Sequence, residues 1–292
     1  MTYWESIVLG IVQGLTEFLP VSSSGHLVLV GEVMQQAKGA EAASRDLQGV
    51  TFEVMVHIGT LLSVLIYFRE KFITLLKSVF DSSMKKERML ILYLAIGTIP
   101  AVVAVLLFKD FFEDAYARPV QTSALLCVTG LILLLPRMVR VKTEKDVGLG
   151  SAIVMGIGQA LAILPGISRS GSTITAGMLS GVKPSEAAEF SFLLSVPAIA
   201  GAMVFKLDEL TSLPASEVGQ HMVGLVTAFV FGLFAIYGVL ASIRKGKFEY
   251  FAIYCLIVGM IGIVYFSSHS PEPVPAAFEA ILSPLFSETL LS

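Results

Sequence analysis

Four stretches of the chain run uncharged for close to the ~20 residues that cross ~30 Å of hydrocarbon: Met89–Phe108, Val120–Pro136, Met222–Ile243 and Tyr250–Ser268. With two further apolar segments they predict six full membrane spans, at about 52–68, 89–108, 120–136, 184–205, 217–243 and 248–268. Two other apolar stretches, about 3–36 and 147–182, behave differently. Each is broken near its middle by Pro and a knot of Ser and Gly. The first break reads Leu19-Pro20-Val21-Ser22-Ser23-Ser24-Gly25, and the second Leu164-Pro165-Gly166-Ile167-Ser168-Arg169-Ser170-Gly171. Pro has no N–H and ends the helix before it, whereas Ser favours a helix N-cap. Each stretch therefore predicts helix, break, helix: two short spans, or one hairpin that enters and leaves on the same side.

Composition agrees. Of 292 residues 55% are hydrophobic and 15% charged, against about 25% charged in a soluble domain, and the mean hydropathy is +0.80. The chain reads as an all-α polytopic membrane protein forming a single membrane domain over 1–292. Glu5 falls where a signal peptide needs apolar residues, so the N-terminus reads as part of the mature protein. Cys127 and Cys255 both lie mid-span and read as buried spectator thiols. The chain has no Cys/His zinc spacing, Walker loop or dinucleotide fingerprint.

Charge placement decides between span and hairpin. Arg69, Lys71, Lys77, Lys85, Lys86 and Arg88 fall between the first two full spans. Arg137, Arg140, Lys142 and Lys145 follow the third, and Arg244, Lys245 and Lys247 separate the last two. The loop holding Asp110, Glu113 and Asp114 is acidic, and the tail after Ser270 has no Lys or Arg. All three basic loops lie in the cytoplasm, as the positive-inside rule asks, only if 147–182 is a re-entrant hairpin returning to that side. Both termini then lie outside, and the first hairpin dips in from outside. Glu189 and Lys183 come out near the cytoplasmic end of a span, at the interface.

The two hairpins also read as copies. Gly10-Ile11-Val12-Gln13-Gly14 corresponds to Gly156-Ile157-Gly158-Gln159-Ala160, and Ser22-Ser23-Ser24-Gly25 to Ser168-Arg169-Ser170-Gly171, both at an offset of 146. The first copy has gained one residue between Gln13 and Pro20, and Leu61-Leu62-Ser63-Val64 echoes Leu193-Leu194-Ser195-Val196. The halves, about 1–145 and 146–268 with a tail at 269–292, each hold a re-entrant helix hairpin plus three transmembrane helices. An odd number of crossings turns the second copy upside down, the inverted-repeat plan with a site where broken helices meet.

Non-helical backbone at membrane depth requires surrounding protein or a water-filled cavity, so the two breaks mark a cavity. The helix after each break offers free N–H groups and a positive dipole end, with Ser hydroxyls beside them, which suits phosphate. Arg169 in the second break needs a partner or a cavity in the bilayer, and its planar fork matches phosphate oxygens. A structural pairing with Glu17 is the alternative, and it does not exclude that role. Glu17, one turn after Gln13, could be a metal ligand, a proton acceptor or that structural partner. His26 follows Ser23 by three residues and Ser22 by four, close enough for the imidazole to serve a hydroxyl as base. Ser24, Ser168, Ser170, Ser172 and Thr173 supply further hydroxyls, some of them N-caps, and Ser168 and Ser170 flank Arg169. His57, four residues after Glu53, reads as an interior polar contact with that residue, lining the cavity being the alternative.

Gln13-x-x-x-Glu17 with Pro20-Val21-Ser22-Ser23-Ser24-Gly25-His26, and Pro165-Gly166-Ile167-Ser168-Arg169-Ser170-Gly171-Ser172-Thr173, together resemble the undecaprenyl-diphosphatase family linked to bacitracin resistance. The resemblance extends over essentially the whole chain, including Phe52-Glu53-Val54 and Glu189-Phe190-Ser191-Phe192-Leu193-Leu194. It implies hydrolysis of undecaprenyl diphosphate to undecaprenyl phosphate and phosphate at the outer face of the bacterial cytoplasmic membrane, recycling the lipid carrier for cell-wall synthesis. It implies a fold of re-entrant hairpins and inverted repeats, with both motifs lining one pocket. In that reading Ser23 attacks the terminal phosphorus with His26 as the base, attack by Ser22 or directly by water being the alternatives. Arg169 steadies the developing charge, and Glu17 holds a divalent cation (Mg or Ca) or positions a proton. Gln13, Ser22, Ser24, Ser168, Ser170 and Thr173 surround the substrate. Gln13 stands where some members carry Glu, which weakens a two-carboxylate metal site. The partners implied are a polyprenyl diphosphate lipid and membrane lipids, with no nucleic acid; a homodimer is left open.

Two rivals follow from the same features. Inverted repeats with broken helices also build secondary transporters and lipid flippases. The type-2 phosphatidic acid phosphatases share a Ser-Gly-His and a Ser-Arg element, but need a His downstream of Ser-Arg, and none follows Arg169 through Val182.

Overall fold

The computed structural model describes residues 1–38, 50–115, 118–139, 141–142, 144–206 and 213–269, with the backbone alone at 50, 108–115 and 205. Arg140 and the tail from 270 lie outside the described residues. The chain forms α1 (Tyr3–Phe18), α2 (Ser23–Lys38), α3 (Val50–Tyr67), α4 (Arg69–Phe80), α5 (Lys85–Ala115) and α6 (Pro119–Val139). There follow α7 (Leu149–Leu161), α8 (Arg169–Leu179), α9 (Pro184–Phe205), α10 (Val218–Arg244) and α11 (Glu249–His269). Among the described residues there is no strand, only an isolated bridge between Lys145 and Val182.

All six expected spans are helices: α3, α5, α6, α9, α10 and α11. Five of them are single helices long and apolar enough to cross a membrane, and α3 with the bent α4 makes a sixth candidate. Their outward faces carry Leu106, Phe234, Ile257 and Ile261, each more than half exposed, as a lipid environment requires. Inside, small residues let backbones approach, the usual packing device where lipid tails are as apolar as Leu. A Cβ on Gly14 would meet the Ala228 carbonyl at 2.7 Å, and one on Gly156 would meet the Gly97 carbonyl at 2.5 Å. Cys127 and Cys255 are free thiols. Asp110, Glu113 and Asp114, expected in a loop, instead ride the last turns of α5, which runs to Ala115.

The packing partners exchange as two copies would. The first hairpin's α1 packs on α10, and the second hairpin's α7 packs on α5, while α3 packs on α10 and α9 on α5. At the centre the corresponding elements meet each other, α3 with α9 and α6 with α11. Each hairpin begins and ends on one face. Lys38 at the end of α2 pairs with Glu5 at the start of α1. On the second hairpin, Lys145 N–H donates to the Gly181 carbonyl at 3.0 Å and Lys183 N–H to the Lys145 carbonyl at 3.0 Å. The three basic regions share that second face, joined by Lys71–Glu189 at 2.9 Å, Lys183–Asp146 at 2.9 Å and Arg137–Glu249. On the opposite face, Lys206 reaches Glu53 at 3.6 Å and Tyr265 donates to Gln36 at 3.0 Å.

One helix was hidden in the expected basic loop. α4 turns 77° from α3 and has three strips. Leu75 and Ser78 face the protein, Glu70 and Lys77 form a charged strip, and Ile73, Leu76, Val79 and Phe80 project outward, Phe80 at 92% exposure. A helix lying across the end of a span with such an apolar strip belongs in the membrane interface.

Two outcomes follow. Gly59→Ala pushes a Cβ to 2.3 Å from the Leu225 carbonyl, an overpacking that costs about 1–3 kcal/mol. It should lower the thermal midpoint in detergent, whereas Gly238→Ala, whose Cβ meets nothing within 4 Å, should not. For α4, Phe80→Trp in a Trp4→Phe background leaves one Trp, since the chain has a single native one. Phospholipid brominated on its acyl chains should quench that fluorophore, and should not quench Lys77→Trp in the same background.

Candidate active site

The site is made where both hairpins break. α1 carries Gln13 and Glu17 one turn apart, and then stops because Pro20 has no N–H to continue the ladder. Two residues later Ser22 caps α2, its Oγ accepting from Gly25 N–H at 3.3 Å. In the second copy Ser168 caps α8 in the same way, with Gly171 N–H at 3.0 Å. Ser23 and Arg169 are thus the first residues of their helices, where the free N–H groups and positive dipole ends lie. Ser22 adopts φ +70°, a left-handed conformation that costs a non-glycine residue about 1–3 kcal/mol and concentrates at functional sites.

The two breaks touch. Gly166 N–H donates to Ser22 Oγ at 3.2 Å, and Ser170 Oγ donates to the Leu19 carbonyl at 3.0 Å. Gly166 has φ +99°, and a Cβ there would sit 2.4 Å from the Thr122 carbonyl, so only glycine suits the position. α6 steadies the second break through Thr129, whose hydroxyl donates to the Gly166 carbonyl at 2.7 Å and accepts from Ser168 N–H at 3.0 Å.

Glu17 and Arg169 form an ion pair between the copies, Nη2 to Oε1. The other oxygen of Glu17 accepts from Gln13 Nε2 at 3.0 Å and Ser23 Oγ at 2.6 Å. Arg169 also donates from Nη1 to the Ser191 carbonyl at 3.3 Å, leaving other N–H groups of its fork for an anion. These side chains open on a small polar cavity lined by Glu17, Ser22, Ser23, Ser24, Ala162, Ile167, Ser168 and Arg169. Counting back three residues from Pro20 and Pro165, Glu17 corresponds to Ala162. Both line the cavity, but only the first copy puts a carboxylate there.

Several expected positions differ. His26 does not serve Ser23: its Nδ1 lies 2.8 Å from the Ser22 carbonyl and its Nε2 2.9 Å from the Tyr254 hydroxyl, and Ser23 turns to Glu17 instead. Gln13 is fully buried behind Glu17. Ser170 faces the Leu19 carbonyl, and Thr173 bonds the Arg169 carbonyl at 2.8 Å and Ser191 Oγ at 2.6 Å. Gln13, Ser170 and Thr173 therefore stand outside the cavity lining and buttress it. His57 bonds the backbone carbonyl of Glu53 at 2.7 Å rather than its carboxylate, and its Nε2 points to Glu17 at 3.8 Å. Ser191 lies in a segment that carries the family resemblance but was given no role of its own, and Tyr254 carried no signal, being a tyrosine inside an apolar run.

The donor set does not fit a resident divalent cation. Glu17 is the one carboxylate lining the cavity, its oxygens are engaged by Arg169, Gln13 and Ser23, and no group of three or more His, Cys, Asp or Glu side chains converges among the described residues.

Known proteins resemble the chain over nearly its whole length. An undecaprenyl-diphosphatase of Salinibacter ruber is 38% identical over 275 residues, covering 90% of this chain and 99% of that protein. One of Moorella thermoacetica is 39% identical over 269 residues, covering 91% and 98%, and one of Elusimicrobium minutum is 37% identical over 266 residues, covering 90% and 98%. Residues 6–261 match the family described as Bacitracin resistance protein BacA, and the chain belongs to that family.

Proposed function

We propose that this chain hydrolyses undecaprenyl diphosphate to undecaprenyl phosphate and inorganic phosphate at the outer face of the cytoplasmic membrane. The observation that carries the chemistry is Ser23 Oγ at 2.6 Å from Glu17 Oε2, at the wall of a cavity that Arg169 shares. The names of the relatives support the substrate. The face bearing Lys38 and Lys206 is then outside, with both termini, and the three basic regions are cytoplasmic.

Ser23 Oγ attacks the terminal phosphorus and its proton passes to Glu17. The bond from that phosphorus to the bridging oxygen breaks, and undecaprenyl phosphate leaves with the electron pair. Water then hydrolyses the phosphoserine. The diphosphate competes with Glu17 for the guanidinium of Arg169, which frees the carboxylate as a base while Arg169 and the two helix N-termini hold the phosphoryl oxygens. The prenyl chain stays in lipid. A divalent cation, Mg or Ca, would travel on the diphosphate oxygens, and no step here depends on it.

Phosphate release from undecaprenyl diphosphate in detergent micelles, without any gradient, tests both the activity and the assignment. Ser23→Ala should lose about a thousandfold or more in kcat, and Glu17→Gln about a hundredfold or more. The double variant should be no worse than Ser23→Ala, because the two groups act as a unit. Ser23→Ala within tenfold of wild type would give the attack to water. Transport across vesicles with no phosphate release in micelles would favour the flippase reading.

A further inference from the structure

The carbonyl of the strained Ser22 accepts twice from His26, from its backbone N–H at 3.2 Å and from ring Nδ1 at 2.8 Å. A carbonyl oxygen has no hydrogen to give, so Nδ1 must carry the imidazole proton. In the neutral ring Nε2 is then an acceptor, and it lies 2.9 Å from the hydroxyl of Tyr254 on α11, 228 residues away. The only role left to that hydroxyl is donor. The two rings are nearly parallel, at 9°. His26 is 7% exposed, so losing Tyr254 Oη would leave Nε2 with no partner among the described residues.

We propose that Tyr254 is a positioning residue for the reaction: through His26 it holds the left-handed turn that aims Ser23 into the cavity. The chain of contacts runs from Tyr254 O–H to His26 Nε2, and from His26 Nδ1–H to the Ser22 carbonyl. Tyr254 sits beside Ile253 and Ile257 on the outward side of α11, where a phenylalanine would meet lipid equally well. Its hydroxyl is the part of the ring with a specific partner, and that partner is inside. The arrangement also answers a mechanical need. α6 and α11 pack closely, a Cβ on Gly259 meeting the Ser123 carbonyl at 2.7 Å. From that shared pair, Thr129 of α6 holds the second break and Tyr254 of α11 holds the first. One rigid pair of helices thus fixes both halves of the cavity.

The inference rests on the phosphatase reading for its kinetic effect, though not for its geometry. Tyr254→Phe should lower kcat for phosphate release about tenfold with little change in KM, because aim is lost rather than substrate contact. In a His26→Ala background the same substitution should cost nothing more. Solid-state 15N spectra of histidine-labelled protein, with the His26 signals identified by their loss in His26→Ala, should show the Nδ1–H tautomer in the wild type and a mixture in Tyr254→Phe. Wild-type kcat in Tyr254→Phe, equal losses in both backgrounds, or an Nε2–H tautomer in the wild type would each overturn the proposal. A wild type that releases no phosphate would remove the phosphatase reading, and the spectra would still decide the Tyr254–His26–Ser22 contact.

Discussion

An unpaired carboxylate or guanidinium moved from water into hydrocarbon loses several kcal/mol even after relaxation, so Glu17 and Arg169 are tolerated at membrane depth only together. Their pair is made between the two hairpins and not within either one, so the breaks must meet for the structure to exist. The close features of the site serve that meeting. Gln13 and Ser23 satisfy the remaining oxygen of Glu17, and the Ser191 carbonyl takes a second donor of Arg169. A Cβ on Gly25 would lie 3.0 Å from Gly166 Cα, which sets how closely the backbones approach. The two helix N-termini then face one cavity because their first residues, Ser23 and Arg169, both bond to Glu17.

This constraint explains why Ser23 meets a carboxylate and not the imidazole. On sequence spacing alone, Ser23 and His26 share a face of α2, and an imidazole one turn away is a reasonable base. The reversal at Leu19–Ser22 brings α1 back against the start of α2, and Ser23 Oγ falls on the carboxylate that already terminates α1. His26, displaced from that role, satisfies the carbonyl exposed by the left-handed turn at Ser22. A hydroxyl, a carboxylate and a guanidinium linked in this way make a preorganised site, in which an arriving phosphoryl group has to displace only the carboxylate from the guanidinium.

The spans were legible because hydrocarbon imposes a length and a composition that run visibly along the chain. The breaks were legible because Pro20 and Pro165 stop helices and the serines start them, and Arg169 stood out as a charge with no soluble reason to be there. What stayed hidden depends on contacts across the fold. Tyr254 lies in an apolar run where a tyrosine reads as lipid-facing, and its partner is 228 residues distant. Ser191 meets Arg169 through its carbonyl, which every residue has. α4 escaped a hydropathy reading because Arg69, Glu70, Lys71 and Lys77 interrupt the run, and its apolar strip appears only at helical spacing. His57 was visible, but its Nδ1 takes the backbone carbonyl of Glu53 rather than the carboxylate, which turns Nε2 toward Glu17.

The inequality of the copies bears on the rival, transporter reading. An alternating-access cycle rocks one repeat against the other around a site that both repeats face in turn. That works at modest cost when the repeats meet through apolar or uncharged contacts. Here the first hairpin holds the carboxylate, the second holds the guanidinium, and Ala162 stands in the second at the same distance before its Pro as Glu17 does in the first. Separating the halves would strip each ion of its partner, a loss of about 3–5 kcal/mol for a buried pair. It would also break the Gly166–Ser22 and Ser170–Leu19 hydrogen bonds in the same movement. The same asymmetry costs nothing to a catalyst whose halves stay together, because the diphosphate can take the place of Glu17 on Arg169 without the helices moving apart. A pair that resists separation and yields to an anion is suited to a fixed site for phosphoryl transfer.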